Sequence, residues 1–390
     1  MPYTPPTVNY CATINGTYTS LTGIQSVSIN RGRQRFQDNF AQTNCVIELI
    51  PATSYAVPLA IGQFIDVRTT NAAGSTAYFV GTITDIQRNY AMPYNTTSGL
   101  AAADRIVITA GGCLGVLGKS TFAEYFMVES DCTDSILAAA YDGGALVDAV
   151  GLGIISLAFN SAQLLTNIGT LDLVNTLLRT CQWIIDDVDN QRVTTTSKNY
   201  TAATFQPGQG NRNYTFSDIG TGGSYAFSDL QYLSSVQNTF TQVQVAPLGL
   251  ATQTASSGSA PYNTLVYDTY SLNTANALSL AGYILNLQSL TTAVPFSITT
   301  NTKMAANCTT ISELSTTAVY DDSTAGMNLG AAVTVEFRGT TATAQIQGIN
   351  TTFYPDYATV QLFLSPSLGT PFTLNSSAFG VLDTNRLGFP

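Results

Sequence analysis

Hydrophobic and polar residues alternate along the first third of the chain. The alternating segments are short and are separated by residues typical of turns, which predicts β-strands. The predicted strands are QSVSIN, NCVIELI, QFIDVR, AYFVGTITDIQ and RIVIT. The NAAGST stretch between Arg68 and Ala77 predicts a hairpin formed by the third and fourth of them. Five strands at this spacing predict a small barrel or sandwich.

The middle of the chain changes to a helical period. TDSILAAAY and TLDLVNTLLRTCQW carry apolar residues three and four positions apart. In the second segment, Thr170 is the predicted N-cap and Cys181 lies on the apolar face, while Trp183 is predicted to lie in the core at the helix end. The next stretch, WIIDDVDNQRVTTT, predicts a hairpin with a solvated turn made of Asp and Asn.

The last third returns to strands after another helix. NTANALSLAGYILNLQ predicts an amphipathic helix. The strands that follow are AAVTVEFRG, TATAQIQGINTTF and YATVQLFLSPS, with a turn at Tyr354-Pro355-Asp356 between the last two. Two strand-rich blocks therefore flank a mixed middle region.

Charged residues are scarce in this chain, and this limits the kinds of function that the protein can have. Charged residues make up 10% of the sequence, and the net charge is −10 with no histidine. A surface this poor in charge favours burial against other subunits. Tight binding to nucleic acid needs clustered Lys and Arg, which are absent here. The lack of histidine removes His-based catalytic triads and most catalytic zinc sites, so the sequence predicts a protein that is not an enzyme.

Two motif candidates fail on spacing. The stretch ITAGGCLGVLGKST ends in Gly118-Lys119-Ser120, but Cys113 stands where a phosphate-binding P-loop requires its first glycine. On an EF-hand template started at Asp187, the required glycine is Arg192, so the Asp-rich stretch does not predict a calcium loop. The six cysteines are scattered without a CxxC pair, and the sequence predicts no metal and no cofactor. We also expect no signal peptide and no membrane anchor.

Several short elements occur in a recognisable order. The first four are an R-G-R element at 31–33, the strand CVIELIP, a G-x-x-[IV]-x-[IV] strand at 62–67 and an F-x-G-x-[IV] strand at 79–83. They are followed by a strand at 242–245 that loosely matches N-x-V-x-V, an alanine-rich helix at 274–288, a V-x-G-I-x-x-x-[FY]-like strand at 346–353, and the ending FGVLDTNRLG at 379–388. In this order they resemble the hub-like minor tail proteins of long-tailed bacteriophages, relatives of the baseplate hub. The aspartate that this family carries after the fifth strand has no counterpart here, where Gly111-Gly112 stand instead.

The resemblance implies a mainly β fold with some α, in which two small β-barrel tube-type domains are joined by mixed α/β middle domains. The predicted organisation is an N-terminal arm (1–23), a first barrel (24–112), mixed middle domains (113–270), a helix with a second barrel (271–365) and a C-terminal tail (366–390). Three such chains would form a ring of six similar barrels.

The resemblance also implies a function. The chain is expected to be a structural protein of the virion tail, assembled in the host cytoplasm, that connects the tail tube to the tip and lines the DNA channel. Its partners would be further copies of itself, in a trimer or else a hexamer, the tail tube or distal tail protein, and the tip fibre or plug. DNA would pass the lumen without tight binding, which agrees with an acidic wall. We predict that Arg31, Gly32, Arg33 and Arg35 form an assembly interface, the alternative being a solvated strand end.

Three alternatives stay open at this point. The chain could be a distal-tail ring protein with one barrel per subunit and six subunits. Tyr-rich strands also suit a carbohydrate-binding receptor protein. A glycosidase that uses only carboxylates would need two acidic residues facing each other across a cleft, at roughly 5 to 10 Å.

Overall fold

The computed structural model describes residues 3–12, 17–50, 59–68, 77–90, 104–127, 132–144, 147–149, 163–190, 199–205, 214–218, 224–233, 239–289, 294–303 and 329–366. The predicted turn after Arg68, the apolar segment at 151–159 and the ending at 379–388 lie outside the described residues. None of the helices within these ranges is long and apolar enough to cross a membrane.

The described part of the chain is mostly β-strand, as predicted. The strands are β1 (Thr7–Cys11), β2 (Thr19–Ser20), β3 (Ile24–Gly32), β4 (Asn44–Leu49), β5 (Phe64–Arg68), β6 (Ala77–Asn89), β7 (Arg105–Gly111), β8 (Thr121–Met127), β9 (Val147–Ala149), β10 (Gln163–Gly169), β11 (Ile184–Asn190), β12 (Asn199–Phe205), β13 (Tyr214–Ser217), β14 (Tyr225–Ala226), β15 (Asp229–Gln231), β16 (Gln242–Pro247), β17 (Gln253–Ser256), β18 (Thr264–Thr269), β19 (Ser297–Asn301), β20 (Ala332–Phe337), β21 (Thr340–Phe353) and β22 (Ala358–Pro366). The helices are α1 (Leu114–Leu117), α2 (Cys132–Asp142), α3 (Thr170–Cys181) and α4 (Thr274–Ser289).

One large sheet contains the strands of both predicted barrels. Its main path runs β14-β13-β20-β21-β3-β4-β7-β6-β5-β1-β2, with β22, β19 and β15 branching from β21. All five strands predicted in the first third of the chain are present as β3 to β7, and β5 and β6 pair as the expected hairpin. Among the described residues this path stays open, so no closed ring of strands is found within it.

The long strand β21 joins the two strand-rich blocks. Its first half pairs with β20 from Thr340 to Gln345, and its second half pairs with β3 from Gly348 to Phe353. The other edge of β21 pairs with β22, with a register shift between Ile346 and Gly348. Such a bulge bends the strand and increases its twist. The two halves of the chain therefore share one sheet.

The smaller elements pack around this sheet. β8 and β10 form a two-stranded ribbon, β9, β11 and β12 form a three-stranded sheet, and β16, β17 and β18 form another with α4 packed on it. The apolar face predicted for α4 is buried, as Ala277, Leu280 and Ile284 show. Helix α3 begins differently from the prediction, because Gly169 is its N-cap and Thr170 is its buried first residue.

Two hydrophobic clusters hold these parts together. The larger one joins the main sheet to α2, α3 and β11, and the predicted core residue Trp183 belongs to it. The smaller one lies between α4 and the β16–β18 sheet. A single segment that follows β3 contributes Phe36 to the smaller cluster and Phe40 to the larger one.

Candidate assembly site around the R-G-R loop

The R-G-R element stands at the end of β3, and its glycine is required by the backbone. We call residues 31–43 the R-G-R loop. Gly32 has a φ of +77°, and a Cβ placed there would lie 2.4 Å from the carbonyl oxygen of Gln347 on β21. The next amide, Arg33 N–H, donates to that same carbonyl oxygen at 2.9 Å. A residue other than glycine would therefore push β3 and β21 apart, since L-residues rarely adopt this φ.

Arg31 points into the protein and pairs with Asp186 of β11. Its guanidinium donates through Nη2 and Nε to both carboxylate oxygens of Asp186, and both side chains are 1% exposed. Such fork-shaped pairs have the geometry that arginine and carboxylate prefer. Burial raises the pKa of Asp186 and the Arg31 charge opposes that change. The pair fixes β11 against the main sheet.

The second acid of this strand occupies the glycine-rich turn that resembles a P-loop. Asp187 accepts hydrogen bonds from the N–H groups of Thr43 and Leu114, both at 2.8 Å, and its carboxylate lies against the Cα of Gly112. Burial raises the pKa of Asp187, while the two N–H donors act in the opposite direction. The backbone donors that a P-loop would aim at phosphate are thus directed at a carboxylate from the same chain.

This arrangement corrects one sequence prediction. The Asp-rich stretch was expected to form a solvated turn, but Asp186 and Asp187 lie within β11 and are 2% and 4% exposed. A strand can bury both because alternate side chains point to opposite faces, where each carboxylate meets its own donors.

The rest of the R-G-R loop is held by side chains of its own chain. Arg33 donates to Gln347 Oε1 at 2.8 Å and to the carbonyl oxygen of Asp38 at 3.2 Å, and its guanidinium lies 4.3 Å from the centre of the Phe40 ring. Burial lowers the pKa of Arg33 to about 10, so the side chain stays charged at neutral pH. Asp38 also accepts from the backbone N–H of Arg35 at 3.0 Å.

The side-chain amide of Asn175 on α3 forms two hydrogen bonds with the backbone of Phe40, as a neighbouring β-strand would. Its Oδ1 accepts from Phe40 N–H at 2.9 Å and its Nδ2 donates to Phe40 O at 3.0 Å. Both groups are buried, so this amide satisfies a peptide that water does not reach. The loop is therefore fixed from α3 as well as from β21.

We expect Asn175→Ala to lower the free energy of unfolding by about 2 kcal/mol, because it leaves both polar groups of a buried peptide unpaired. Urea denaturation followed by circular dichroism measures this change. The control is Asn39→Ala, which removes an exposed partner of Arg179 and should change stability by less than about 0.5 kcal/mol. Equal effects of the two variants would contradict the role given to Asn175.

The four predicted interface residues have different positions. The Arg31 side chain is buried against Asp186 of the same chain. Gly32 is fixed by contacts with β21, and Arg33 is half-buried. Arg35 lines an open groove together with residues of the β22 end, Leu364 to Pro366 among them. An assembly role for Arg31, Gly32, Arg33 and Arg35 stays a prediction.

The burial of the polar residues Asp186, Asp187 and Asn175 was not predicted from the sequence. For the two acids a signal existed, since they directly follow the apolar run Trp183-Ile184-Ile185. Within the part of the chain that the structure describes, no group of three or more His, Cys, Asp or Glu side chains is placed to hold a metal ion.

Cys11, Cys45, Cys113 and Cys181 are buried and form no disulfide. Burial raises the pKa of Cys45, and at Cys113 the nearby Asp187 adds to the same effect. Burial keeps a reagent away from all four side chains, and at Cys45 and Cys113 it also disfavours the thiolate, which is the reactive form. We therefore expect these four to react with a disulfide reagent at pH 8 at least about 100-fold more slowly in the native protein than in urea. Mass spectrometry of the labelled peptides identifies each site. Rapid labelling of native Cys45 or Cys113 would contradict their placement.

Comparisons with known proteins identify a shared fold. No protein-family model matches this chain, and no curated protein matches it. Among solved structures, it is similar to the 43 kDa tail protein of prophage MuSo2 from Shewanella oneidensis, with a TM-score of 0.56 and 11% identity over 92% of this chain and 97% of that one. It is also similar to the tail protein from Neisseria meningitidis MC58, with a TM-score of 0.58 and 10% identity over 93% and 97% of the two chains. The chain has the fold of these tail proteins.

Proposed function

We propose that this chain is a non-enzymatic structural protein of a phage tail tip. In this proposal it forms the baseplate hub ring that connects the tail tube to the tip. The observation that carries the proposal is the tail-protein fold, which spans more than nine-tenths of this chain and of each of the two tail proteins. Likeness over the whole length leaves little of the chain for a separate domain.

The shared sheet supports a ring of few subunits. Each chain contributes two strand-rich blocks joined through β3 and β21. Three chains would place six such blocks around one axis, so a threefold tip would continue a sixfold tube. The predicted domain boundaries belong to this proposal, with the second block beginning near residue 271.

The charge of the chain suits a channel for DNA. A net charge of −10 and only three lysines give a wall that repels phosphate instead of holding it. DNA would therefore slide through the lumen during ejection. Partners at the two ends of the ring would be the tube or distal tail protein and the tip fibre or plug, and the ring would be assembled in the host cytoplasm.

Electron microscopy of the purified protein and of intact particles tests this proposal. A threefold ring with six lobes around a channel, located at the tail tip, is the expected result. A sixfold ring with one lobe per subunit would assign the chain to the distal-tail position instead. Absence of the protein from the tail, shown by antibody labelling of particles, would overturn the proposal.

A further inference from the structure

Helix α3 carries charges of opposite sign at its two ends. Asp172 lies in its first turn and Arg179 in its last turn. Because these residues are seven positions apart, they lie on the same face of the helix, about 10 Å from each other along its axis. Thr176 lies between them on that face and is half-buried, whereas Leu173 and Leu177 on the opposite side are buried in the core. We call the face with Asp172, Thr176 and Arg179 the outer face of α3.

A second acid lies beside Asp172. Asp268 on β18 is exposed, as Asp172 is. Burial raises the pKa of Tyr270 to about 12, and the nearby carboxylates of Asp268 and Asp172 add to this change. The backbone N–H of Tyr270 donates to Thr180 Oγ1 at 3.0 Å, which holds the end of β18 against α3. We call Asp172 and Asp268 the acidic end of the outer face.

Two arginines lie around Tyr267, at the other end of the outer face. The guanidinium carbon of Arg179 is 5.6 Å from the centre of the Tyr267 ring, and Arg179 Nη2 donates to Asn39 of the R-G-R loop. Burial lowers the pKa of Arg33, and the nearby charge of Arg179 adds to this change. Burial also raises the pKa of Tyr267, which both arginines oppose. We call Arg33 and Arg179 the basic end.

Neither end is neutralised within the part of the chain that the structure describes. Four other cations form ion pairs with acids of their own chain, namely Arg31, Arg68, Arg105 and Lys303. Among the described residues, the two acids and the two arginines of the outer face form no such pair, and Arg179 Nε is buried without an acceptor. Acids outnumber bases 24 to 14 in this chain. Two neighbouring arginines without a carboxylate therefore indicate a partner that supplies one.

We propose that two copies of the chain bind each other through the outer face of α3, with the two helices antiparallel. The acidic end of each copy then meets the basic end of the other, because the same spacing separates the two ends in both copies. A parallel arrangement would place acid against acid and arginine against arginine, and like charges across an interface cost free energy. Thr176 at the centre is small, so the helices can approach closely. The charge pattern selects a second copy because this chain carries both complementary halves.

This contact differs from the contacts within the proposed ring. Each contact in a ring of three joins two unlike surfaces, whereas a two-fold contact joins the same surface of both partners and forms every ion contact twice. It would join two free chains, or two rings face to face, and it does not depend on the proposed function. Exposed ion pairs contribute little singly and more as a network. We therefore expect weak pairing that salt disrupts.

Sedimentation velocity of the full-length protein tests the contact. The wild type should pair at low ionic strength and separate when salt is raised to about 1 M, where the Debye length is about 3 Å. Arg179→Asp places acids opposite acids, and Asp172→Arg places arginines opposite arginines, so each variant should raise the dissociation constant at least about 10-fold. An equimolar mixture of the two variants should pair again, because opposite charges then meet at both contacts of α3. Circular dichroism shows whether each variant is folded.

Arg105→Asp and Glu48→Arg are the matched controls, since they make the same changes of charge at a surface ion pair outside α3. Both should pair like the wild type. Equal weakening by the controls, a mixture that does not pair again, or a wild type without salt-dependent pairing would overturn the inference. If Arg179→Asp leaves pairing unchanged and abolishes retention of a double-stranded DNA fragment, the arginines contact phosphate and the inference is wrong. A single ring at the tail tip of particles would leave the proposed function standing in each of these cases.

Discussion

Arg31→Met is expected to lower the free energy of unfolding by about 4 kcal/mol, because it leaves the buried Asp186 carboxylate without its cation. The loss should appear as a large decrease in the urea midpoint, measured by circular dichroism and by the fluorescence of Trp183. Trp183 is the single tryptophan, and it lies close to Asp186 in sequence, so its signal reports on the region that the pair holds.

Two further variants separate the ion pair from general damage to the core. Arg31→Met combined with Asp186→Leu should recover most of the stability, since a buried ion pair replaced by apolar residues of similar size is often neutral. Arg105→Met breaks a surface pair with Glu48, in which the side chains are 54% and 33% exposed, and should cost at most about 1 kcal/mol. If the double variant is no more stable than Arg31→Met alone, the pairing does not explain the loss.

Gly112→Ala is expected to cost about 3 kcal/mol, because the added methyl group overlaps a carboxylate that cannot move without losing its hydrogen bonds. A Cβ at this position would lie 2.2 Å from Asp187 Oδ2. Moving Asp187 away would leave the N–H groups of Thr43 and Leu114 unpaired in the interior. The measurement is again the urea midpoint.

A second glycine of the same turn provides the control. Gly118 has a φ of −66°, which any residue adopts, and the nearest atom to an added Cβ is Leu171 Cδ2 at 3.7 Å. Gly118→Ala should therefore change stability by less than about 0.5 kcal/mol, or raise it slightly by restricting the unfolded chain. A larger loss at Gly118 than at Gly112 would contradict the role of Asp187 in this turn.

The strands and helices could be predicted where one face is buried and the other is not. Strands β3 to β7 and helix α4 follow this rule, so the period of the apolar residues identifies them. The pairing of β3 with β21 could not be predicted, because strands more than 300 residues apart in the chain carry no mark of their partner. The predicted N-cap of α3, Thr170, was wrong by one residue. Gly169 is the N-cap, and it makes no side-chain hydrogen bond that a sequence pattern could indicate.

The site was harder to predict than the fold. Neighbouring aspartates followed by Asn and Gln are typical of a solvated turn. The free-energy cost of burying such carboxylates is offset only by partners far away in the sequence. For Asp186 that partner is Arg31, which is 155 residues away. The R-G-R element was predicted to be an assembly interface, and that role stays a prediction. Arg31 of this element points into its own chain. The sequence could not predict this, because a strand end beside a glycine gives no sign of which side chain points inward.

The pairing of β3 with β21 also affects how genes for such chains can recombine. The exchange of one strand-rich block alone would have to reproduce the register that pairs Gly348 with Gly32 and Phe353 with Val27. A foreign segment between β7 and β13 leaves that pairing untouched. It has to present two acids to Arg31 and to the turn at Gly112, an amide to Phe40 in the place of Asn175, and apolar side chains to the main hydrophobic cluster. Diversity among related chains is therefore expected to concentrate in the middle segment, with the two ends inherited together.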